Sequence, residues 1–183
     1  AEDSFHQALA VGGDGSDRVC AHASRFLADI MLTIRGDASA AEQLFERALD
    51  AARRIGDPYS LSRTLLMAGW SPFWQNDLVR AESMFREALA VARSDERRDA
   101  WAESRALVGL ANVISPAGDE EAALAVGLEA LAVGQEGGQA FTSAVAHETV
   151  AASLRRLMRL EEAQEHADAA VGTRASTPVR TPT

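Results

Sequence analysis

Few side chains in this chain have the types and the spacing that catalysis or metal binding requires. Cys20 and His22 form a Cys-x-His pair, but a zinc site needs three or four ligands, with a matching pair elsewhere. His147-Glu148 begins like a zincin helix, yet position 151 is alanine, so the second histidine of that motif is absent. No serine stands in a Gly-x-Ser-x-Gly elbow. These patterns predict no catalytic centre, no metal site and no cofactor.

Composition argues against several other classes of function. All 18 basic residues are arginine and lysine is absent, which removes a Walker-type phosphate lysine and a Schiff-base lysine. The glycine-rich run 12–15 follows an expected helix rather than a strand, so it predicts a turn and not a nucleotide loop. The net charge of −9 argues against nucleic-acid binding. No apolar run approaches the roughly 18 residues of a membrane span, and the single cysteine fits a reducing, cytoplasmic compartment.

A nine-residue pattern, A-E-x-x-F-x-x-A-L, organises the chain. It begins at Ala1, Ala41 and Ala81, 40 residues apart each time, and weaker copies begin at Ala123 and Ala163. Apolar residues at offsets 0, 3, 4, 7 and 8 form one face of an α-helix, and the alanines let a neighbouring helix approach closely. A second helix precedes each anchor, and Ser-Arg at 24, 62 and 104 marks it. The repeat therefore predicts units of two helices.

These units predict an all-α fold, a right-handed solenoid of antiparallel helix pairs. About nine helices are expected, a leading second helix followed by four pairs. A turn residue and an aspartate stand before three of the anchors, at 36–37, 76–77 and 118–119, and predict a helix stop followed by an N-cap. The repeat array is expected to cover residues 1–174. The tail 175–183 has no apolar periodicity and is predicted to be disordered.

The pattern resembles the tetratricopeptide repeat. The resemblance rests on a small residue, an aromatic and an alanine at fixed offsets on the second helix, and on Ala68-Gly69 in the helix before it. The period of 40 to 42 residues exceeds the usual 34. It is similar to the long form in the sensor arms of large bacterial signal-transduction ATPases and of transcription activators of the maltotriose-responsive type. Gly127 and Ala167 depart from the pattern at the aromatic position, and Asp29 departs near a small-residue position.

The resemblance implies that the first helices of successive pairs line a concave groove. Transferring the family register by the anchor alanines predicts three rows of groove residues: Arg63, Leu66, Trp70 and Phe73; Arg105, Val108 and Asn112; and Val145, Glu148, Ala152 and Arg155. Arg63 and Arg105 occupy equivalent positions, and the guanidinium fork suits carboxylates or phosphates.

The stretch 70–74, Trp-Ser-Pro-Phe-Trp, leaves two hypotheses open. Pro72 cannot continue a helix, so the first helix of this pair is predicted to end or kink near Trp70. In one hypothesis the two aromatics after the proline pack over the neighbouring helix. In the other, Trp70 faces the groove beside Arg63 and Asn112, since Trp and Arg are enriched at binding hot spots.

A second anomaly predicts a contact on the opposite side of the array. Leu124 and Leu128 occupy positions that are charged in other units, and the helix 121–134 is apolar nearly all round. One interpretation is an interface with a second chain or with other domains of a parent protein. The alternative is that Leu128 turns inward and fills the space left by Gly127.

Together these features predict a non-catalytic protein-interaction or regulatory module. Ala1 already occupies an anchor position, so the module is expected to be part of a larger cytoplasmic signalling or transcription regulator. A sensor domain for an anionic small molecule is one alternative, with Trp70, Arg63 and Arg105 holding the effector. A stand-alone adaptor is the second. The expected partner is a protein or peptide, other domains of the parent chain, or a second copy bound through the helix 121–134; neither nucleic acid nor membrane is expected.

Overall fold

The computed structural model describes residues 17–94 and 98–175, and their regular structure is helical throughout. The π-helical turn Met31–Arg35 extends the first helix, and the 3₁₀ turn Ser115–Ala117 extends the fifth. The α-helices are α1 (Asp17–Ile30), α2 (Ala38–Ile55), α3 (Pro58–Trp74), α4 (Leu78–Ser94), α5 (Ala100–Ile114), α6 (Glu120–Glu136), α7 (Ala140–Arg156) and α8 (Leu160–Ala175). The predicted leading helix at 1–9 and the predicted tail beyond Ala175 lie outside the described residues. None of the described helices is long and apolar enough to cross a membrane.

The helices belong to two compact units, and the boundary between them along the chain lies between Arg98 and Asp99. In unit 1, α1 packs on α2 and α3 packs on α4, with smaller contacts of α3 with α1 and α2. In unit 2, α5 packs on α6, α6 on α7 and α7 on α8, and α5 also contacts α7. Each unit therefore consists of two helix-turn-helix pairs, as the repeat predicts.

The anchor residues of the repeat form the core between paired helices. Ala41, Ala81, Ala123 and Ala163 are all buried, because alanine lets the two helix backbones approach closely. Gly69 on α3 serves the same purpose, since a Cβ added there would lie 2.7 Å from the buried Phe85 ring on α4.

Aspartate caps begin the second helices where the sequence predicts them. The side chain of Asp37 accepts a hydrogen bond from Ala40 N at 2.9 Å, Asp77 accepts from Arg80 N at 3.1 Å, and Asp119 accepts from Ala122 N at 3.0 Å. The residues directly before them, Gly36, Asn76 and Gly118, have positive φ, which ends the preceding helical segment. The predicted stop and N-cap are confirmed at all three turns.

Proline acts differently in α3 and α5. An end or a kink of helix α3 was predicted near Trp70, and the end is wrong, because α3 continues through Pro72 to Trp74. Pro72 lies in the last turn of α3, so the helix loses only the one hydrogen bond that the N–H of residue 72 would donate. The Pro72 carbonyl accepts a hydrogen bond from Asp77 N at 2.9 Å. In α5 the α-helix does end, at Ile114, just before the 3₁₀ turn that contains Pro116.

Candidate functional site

The first helices of unit 1, α1 and α3, carry a group of cationic and aromatic side chains that we call the A-face: Arg18, His22, Arg25, Phe26, Tyr59 and Arg63. On α1, Arg25 Nη2 donates to His22 Nδ1 at 3.3 Å, and the Arg25 guanidinium carbon lies 4.9 Å from the Phe26 ring centre. On α3, the Arg63 guanidinium carbon lies 4.1 Å from the Tyr59 ring centre. Phe26 and Tyr59 are 40% and 43% exposed. Arginine is thus stacked on a partly exposed ring on both helices, but Arg25 is only 5% exposed whereas Arg63 is half-buried.

The electrostatics of the A-face are dominated by arginine. The pKa of His22 is lowered by burial first, and then by the positive charges of Arg25, Arg18 and Arg63, while Asp57 opposes the shift. Asp57 itself caps α3, accepting hydrogen bonds from the backbone N and the hydroxyl of Ser60. The arginines of both helices act on one imidazole, so this surface is suited to an anionic group.

An aromatic cluster closes the end of the α3–α4 pair. The Trp70 ring meets Phe85 edge-on at 5.1 Å and Phe73 edge-on at 5.4 Å, and Trp74 lies 6.3 Å away. Phe85 is fully buried, whereas Trp70 is half-buried and Trp74 is exposed. The first hypothesis placed the two aromatics after Pro72 over the neighbouring helix, but it is Trp70 that meets Phe85 of α4, and Trp74 is exposed. The second hypothesis, that Trp70 faces a groove, stays a prediction.

Unit 2 contains a histidine pair. His147 on α7 and His166 on α8 approach with their Nδ1 atoms 2.9 Å apart, and their ring planes are inclined at 51°. Burial and the neighbouring His166 lower the pKa of His147. An open depression of roughly 300 Å³ adjoins His147, and its other lining residues are Gln135, Gly138, Gln139, Ala140, Ser143 and Thr173. Within 17–94 and 98–175, no group of three or more His, Cys, Asp or Glu side chains is placed to hold a metal ion.

Sequence reasoning missed this pair. The repeat register contains a signal for it, because His147 stands where the other first helices have leucine, at Leu27, Leu65 and Leu107. The pairing with His166 depends on which faces of α7 and α8 meet.

A family model described as tetratricopeptide repeat matches residues 18–94, which make up less than half of the chain. These residues are therefore similar to tetratricopeptide repeats. No curated protein matches the sequence. Tetratricopeptide repeats are generally non-catalytic and typically mediate protein–protein interaction, which agrees with the predicted class of module for residues 18–94.

Solved structures with the same fold over most of the chain include the following three. BtubC from P. vanneervenii is 20% identical with a TM-score of 0.77, over 99% of this chain and 73% of its own. The apo form of RapI is 14% identical with a TM-score of 0.67, over 93% of this chain and 48% of its own. A signal transduction ATPase with numerous domains (STAND) from Pyrococcus horikoshii, with a tetratricopeptide repeat sensor, is 17% identical with a TM-score of 0.68, over 88% of this chain and 24% of its own. The chain thus spans about half of RapI and about a quarter of the STAND protein. The predicted all-α, tetratricopeptide-like fold is confirmed, and the likeness to the STAND protein and to RapI is a likeness of fold.

The predicted groove residues differ in their exposure to solvent. Leu66 and Val108 are 1% and 2% exposed, because they lie on the sides of α3 and α5 that face neighbouring helices. They are core residues and offer no side-chain surface to a partner. Arg63, Trp70 and Phe73 on α3 and Arg105 and Asn112 on α5 are half-buried, as are Val145 and Ala152 on α7.

Three of the polar groove candidates in unit 2 are bonded to other protein groups or are exposed to solvent. The Asn112 amide donates to the Val108 carbonyl of its own helix at 2.8 Å. Exposed Glu148 forms an ion pair with Arg174 of α8 at 2.8 Å, and Arg155 is exposed. A groove that joins Arg63 with Arg105 stays a prediction.

The predicted two-leucine surface on α6 is corrected. Leu124 is 5% exposed and packs in the core with Val150, Leu154 and Ala163. Leu128 is 45% exposed. Leu128 does not occupy the space beside Gly127, because Val150 of α7 fills it and its Cγ2 would lie 3.2 Å from an added Cβ. Only Leu128 remains available for an interface.

Proposed function

We propose that this chain is a protein-interaction and regulatory module of a larger cytoplasmic signalling or transcription protein, and that its A-face binds an acidic peptide segment. Binding there shifts the parent protein between states. The observation that carries the proposal is the stacking of half-buried Arg63 on the partly exposed Tyr59 ring. The neighbouring helix α1 adds the partly exposed Phe26 ring and the positive charge of Arg25, which is itself buried.

Stacked arginines are suited to carboxylate recognition. A guanidinium held over a ring is restricted in its rotamers, so it loses less entropy when it binds. Its N–H edge matches a carboxylate in a bidentate geometry. The partly exposed rings of Phe26 and Tyr59 add apolar surface next to this charge, and arginine with aromatic residues is the composition that dominates binding hot spots.

The regulatory part of the proposal is supported by the structural neighbours. The STAND protein is described as having a tetratricopeptide repeat sensor, and the match with the present chain covers 24% of it. An anionic small-molecule effector is the second candidate function, because the same guanidinium forks accept carboxylate or phosphate oxygens.

The proposal is tested by titrating labelled acidic peptides, with charge-reversed peptides as the comparison, against the full chain and two arginine variants. R63A removes a stacked arginine of the A-face. R86A removes the same charge from α4, where exposed Arg86 pairs with Glu82 of its own helix at 2.6 Å. We expect R63A to weaken acidic-peptide binding about tenfold, in line with a hot-spot residue, and R86A to have little effect.

Two outcomes contradict the peptide proposal. Equal losses in R63A and R86A would indicate unspecific charge attraction. Binding of inorganic phosphate or a dicarboxylate that depends on Arg63, without binding of any acidic peptide, would support the effector-sensor alternative.

A further inference from the structure

The fourth helix pair has histidine at two positions that are apolar in the other three pairs. At the position of His147 the earlier first helices have leucine, and at the position of His166 the earlier second helices have Leu, Met and Val: Leu27, Leu65 and Leu107; Leu44, Met84 and Val126. The three leucines of the first set are core residues. Two polar replacements in one pair reduce apolar burial at both positions, and the structure brings the replaced side chains together.

The geometry of the pair fits a metal chelate. Two nitrogens that are 2.9 Å apart, each about 2.1 Å from an ion, subtend an angle of about 90° at that ion. Such an angle corresponds to adjacent ligands in a tetragonal or square-planar sphere, the geometry of Cu(II) and Ni(II) sites with nitrogen ligands. A tetrahedral ion with the same bond lengths would need its nitrogens about 3.4 Å apart.

We propose that His147 and His166 bind a divalent transition-metal ion of tetragonal preference, Cu(II) or Ni(II), through their two Nδ1 atoms. Without metal, one Nδ1–H donates to the other Nδ1. On binding, the donor ring loses its Nδ1 proton and takes a proton from solvent at Nε2, so both rings stay neutral and both Nδ1 lone pairs face the ion. In the hydrogen-bonded pair the lone pair points along the line between the two Nδ1 atoms, so each ring has to reorient by about 45° to direct its lone pair at an ion about 2.1 Å away.

Water completes the coordination sphere. The nearby carboxylates are engaged in ion pairs, Glu162 with Arg159 at 2.6 Å and Glu148 with Arg174 at 2.8 Å. The open depression beside His147 gives room for water ligands. Zn²⁺ is disfavoured because its protein sites are built from three or four protein ligands, and nitrogen affinity peaks at Cu²⁺ in the first-row series.

The test is a titration of the full chain with CuCl₂, followed by electron paramagnetic resonance, with NiCl₂ as a second probe in calorimetry. The variants H147L and H166M introduce the residues that the second pair has at the same positions, Leu65 and Met84, so the fold is retained; circular dichroism checks this. His22, which is half-buried on α1 beside Arg25, provides the matched control H22Q.

The expected result is one Cu(II) per chain with hyperfine coupling to two nitrogens. Each of H147L and H166M should weaken binding by at least about 10–100-fold, the loss typical of disturbing even an outer partner of a metal ligand, whereas H22Q should bind like the parent. Failure of the parent chain to bind either ion, or equal binding by H147L, would overturn the proposal. Acidic-peptide binding at the A-face should not change in H147L, so this proposal and the proposed function are tested separately.

Discussion

The helix pairs α3–α4 and α7–α8 are built on the same repeat but filled in different ways. In α3–α4 a glycine at position 69 admits the buried ring of Phe85, and Trp70 packs against that ring. In α7–α8 the positions equivalent to Gly69 and Phe85 are both alanine, Ala151 and Ala167. The α3–α4 pair is joined by the packing of Phe85 against Gly69 and Trp70, which we call the aromatic interlock. The α7–α8 pair has small residues at these positions, next to a pair of imidazoles.

The two units also differ in net charge, and unit 2 is the more acidic. Residues 17–94 contain ten arginines and ten acidic residues, whereas residues 98–175 contain six arginines and twelve acidic residues. Arginines and exposed aromatics therefore coincide on the A-face of unit 1, while unit 2 combines an acidic surface with the histidine pair. The repeat specifies the backbone pairing, and the residues at a few equivalent positions decide what kind of ligand each unit suits.

The largest change in stability is expected when the contact between Trp70 and Phe85 is removed. Phe85→Ala should lower the free energy of unfolding by about 3–5 kcal/mol, because it removes a fully buried ring and leaves a cavity under Trp70. Phe26→Ala, which removes a partly exposed ring of the A-face, should cost about 1 kcal/mol or less. Urea unfolding of the two variants measures both values, and equal losses would contradict a special role for the interlock.

A matched pair of glycines sharpens the comparison. Gly69→Ala should destabilise the protein by about 1–3 kcal/mol, since the added Cβ would lie 2.7 Å from the Phe85 ring, which is buried and has no room to move. Gly172→Ala on α8 should instead stabilise it by about 0.5–1 kcal/mol, because no neighbouring atom lies within 4 Å of the new Cβ and alanine favours the helix. Thermal unfolding compares them, and two changes of the same sign would show that Phe85 does not pack against α3 as described.

The smallest expected effect is the pH dependence contributed by His22. Its pKa in the folded protein is lowered from the ordinary 6.5, by burial first and then by Arg25, Arg18 and Arg63, against Asp57. The unfolded chain therefore takes up this proton at a higher pH than the folded protein, so the stability contribution is complete above about pH 6.5 and decreases as the pH falls toward the lowered value. Denaturation between pH 8 and pH 5 should show a shallower decrease for H22Q than for the parent. An unchanged slope in H22Q would mean that His22 titrates alike in both states.

Local features were predictable from the sequence because they depend on residues close together in the chain. The anchor alanines recur with the period of the repeat and are buried, and Asp37, Asp77 and Asp119 cap the helices at the expected turns. Each of these depends on helical periodicity or on a hydrogen bond three residues away. Even so, Pro72 shows the limit of local rules, since a proline in the last turn of α3 removes one hydrogen bond without ending the helix.

The candidate sites needed the tertiary structure. Arg63 was predicted from the family register, and its stacking on Tyr59 joins two residues of the same helix, four positions apart. Its electrostatic influence on His22 of α1, however, depends on how α1 and α3 pack. Leu66 and Val108 were expected in a groove and lie in the core.

By itself the sequence determined the helical repeat, the turns and their caps, and the absence of the known catalytic motifs, because these follow from spacing along one chain. Only the tertiary structure decided which faces of neighbouring helices meet. That choice buries Leu124, exposes Leu128 and brings His147 to His166. The physical reason is that one helical period is compatible with several rotations of a helix about its axis, and the packing of its neighbours selects one of them.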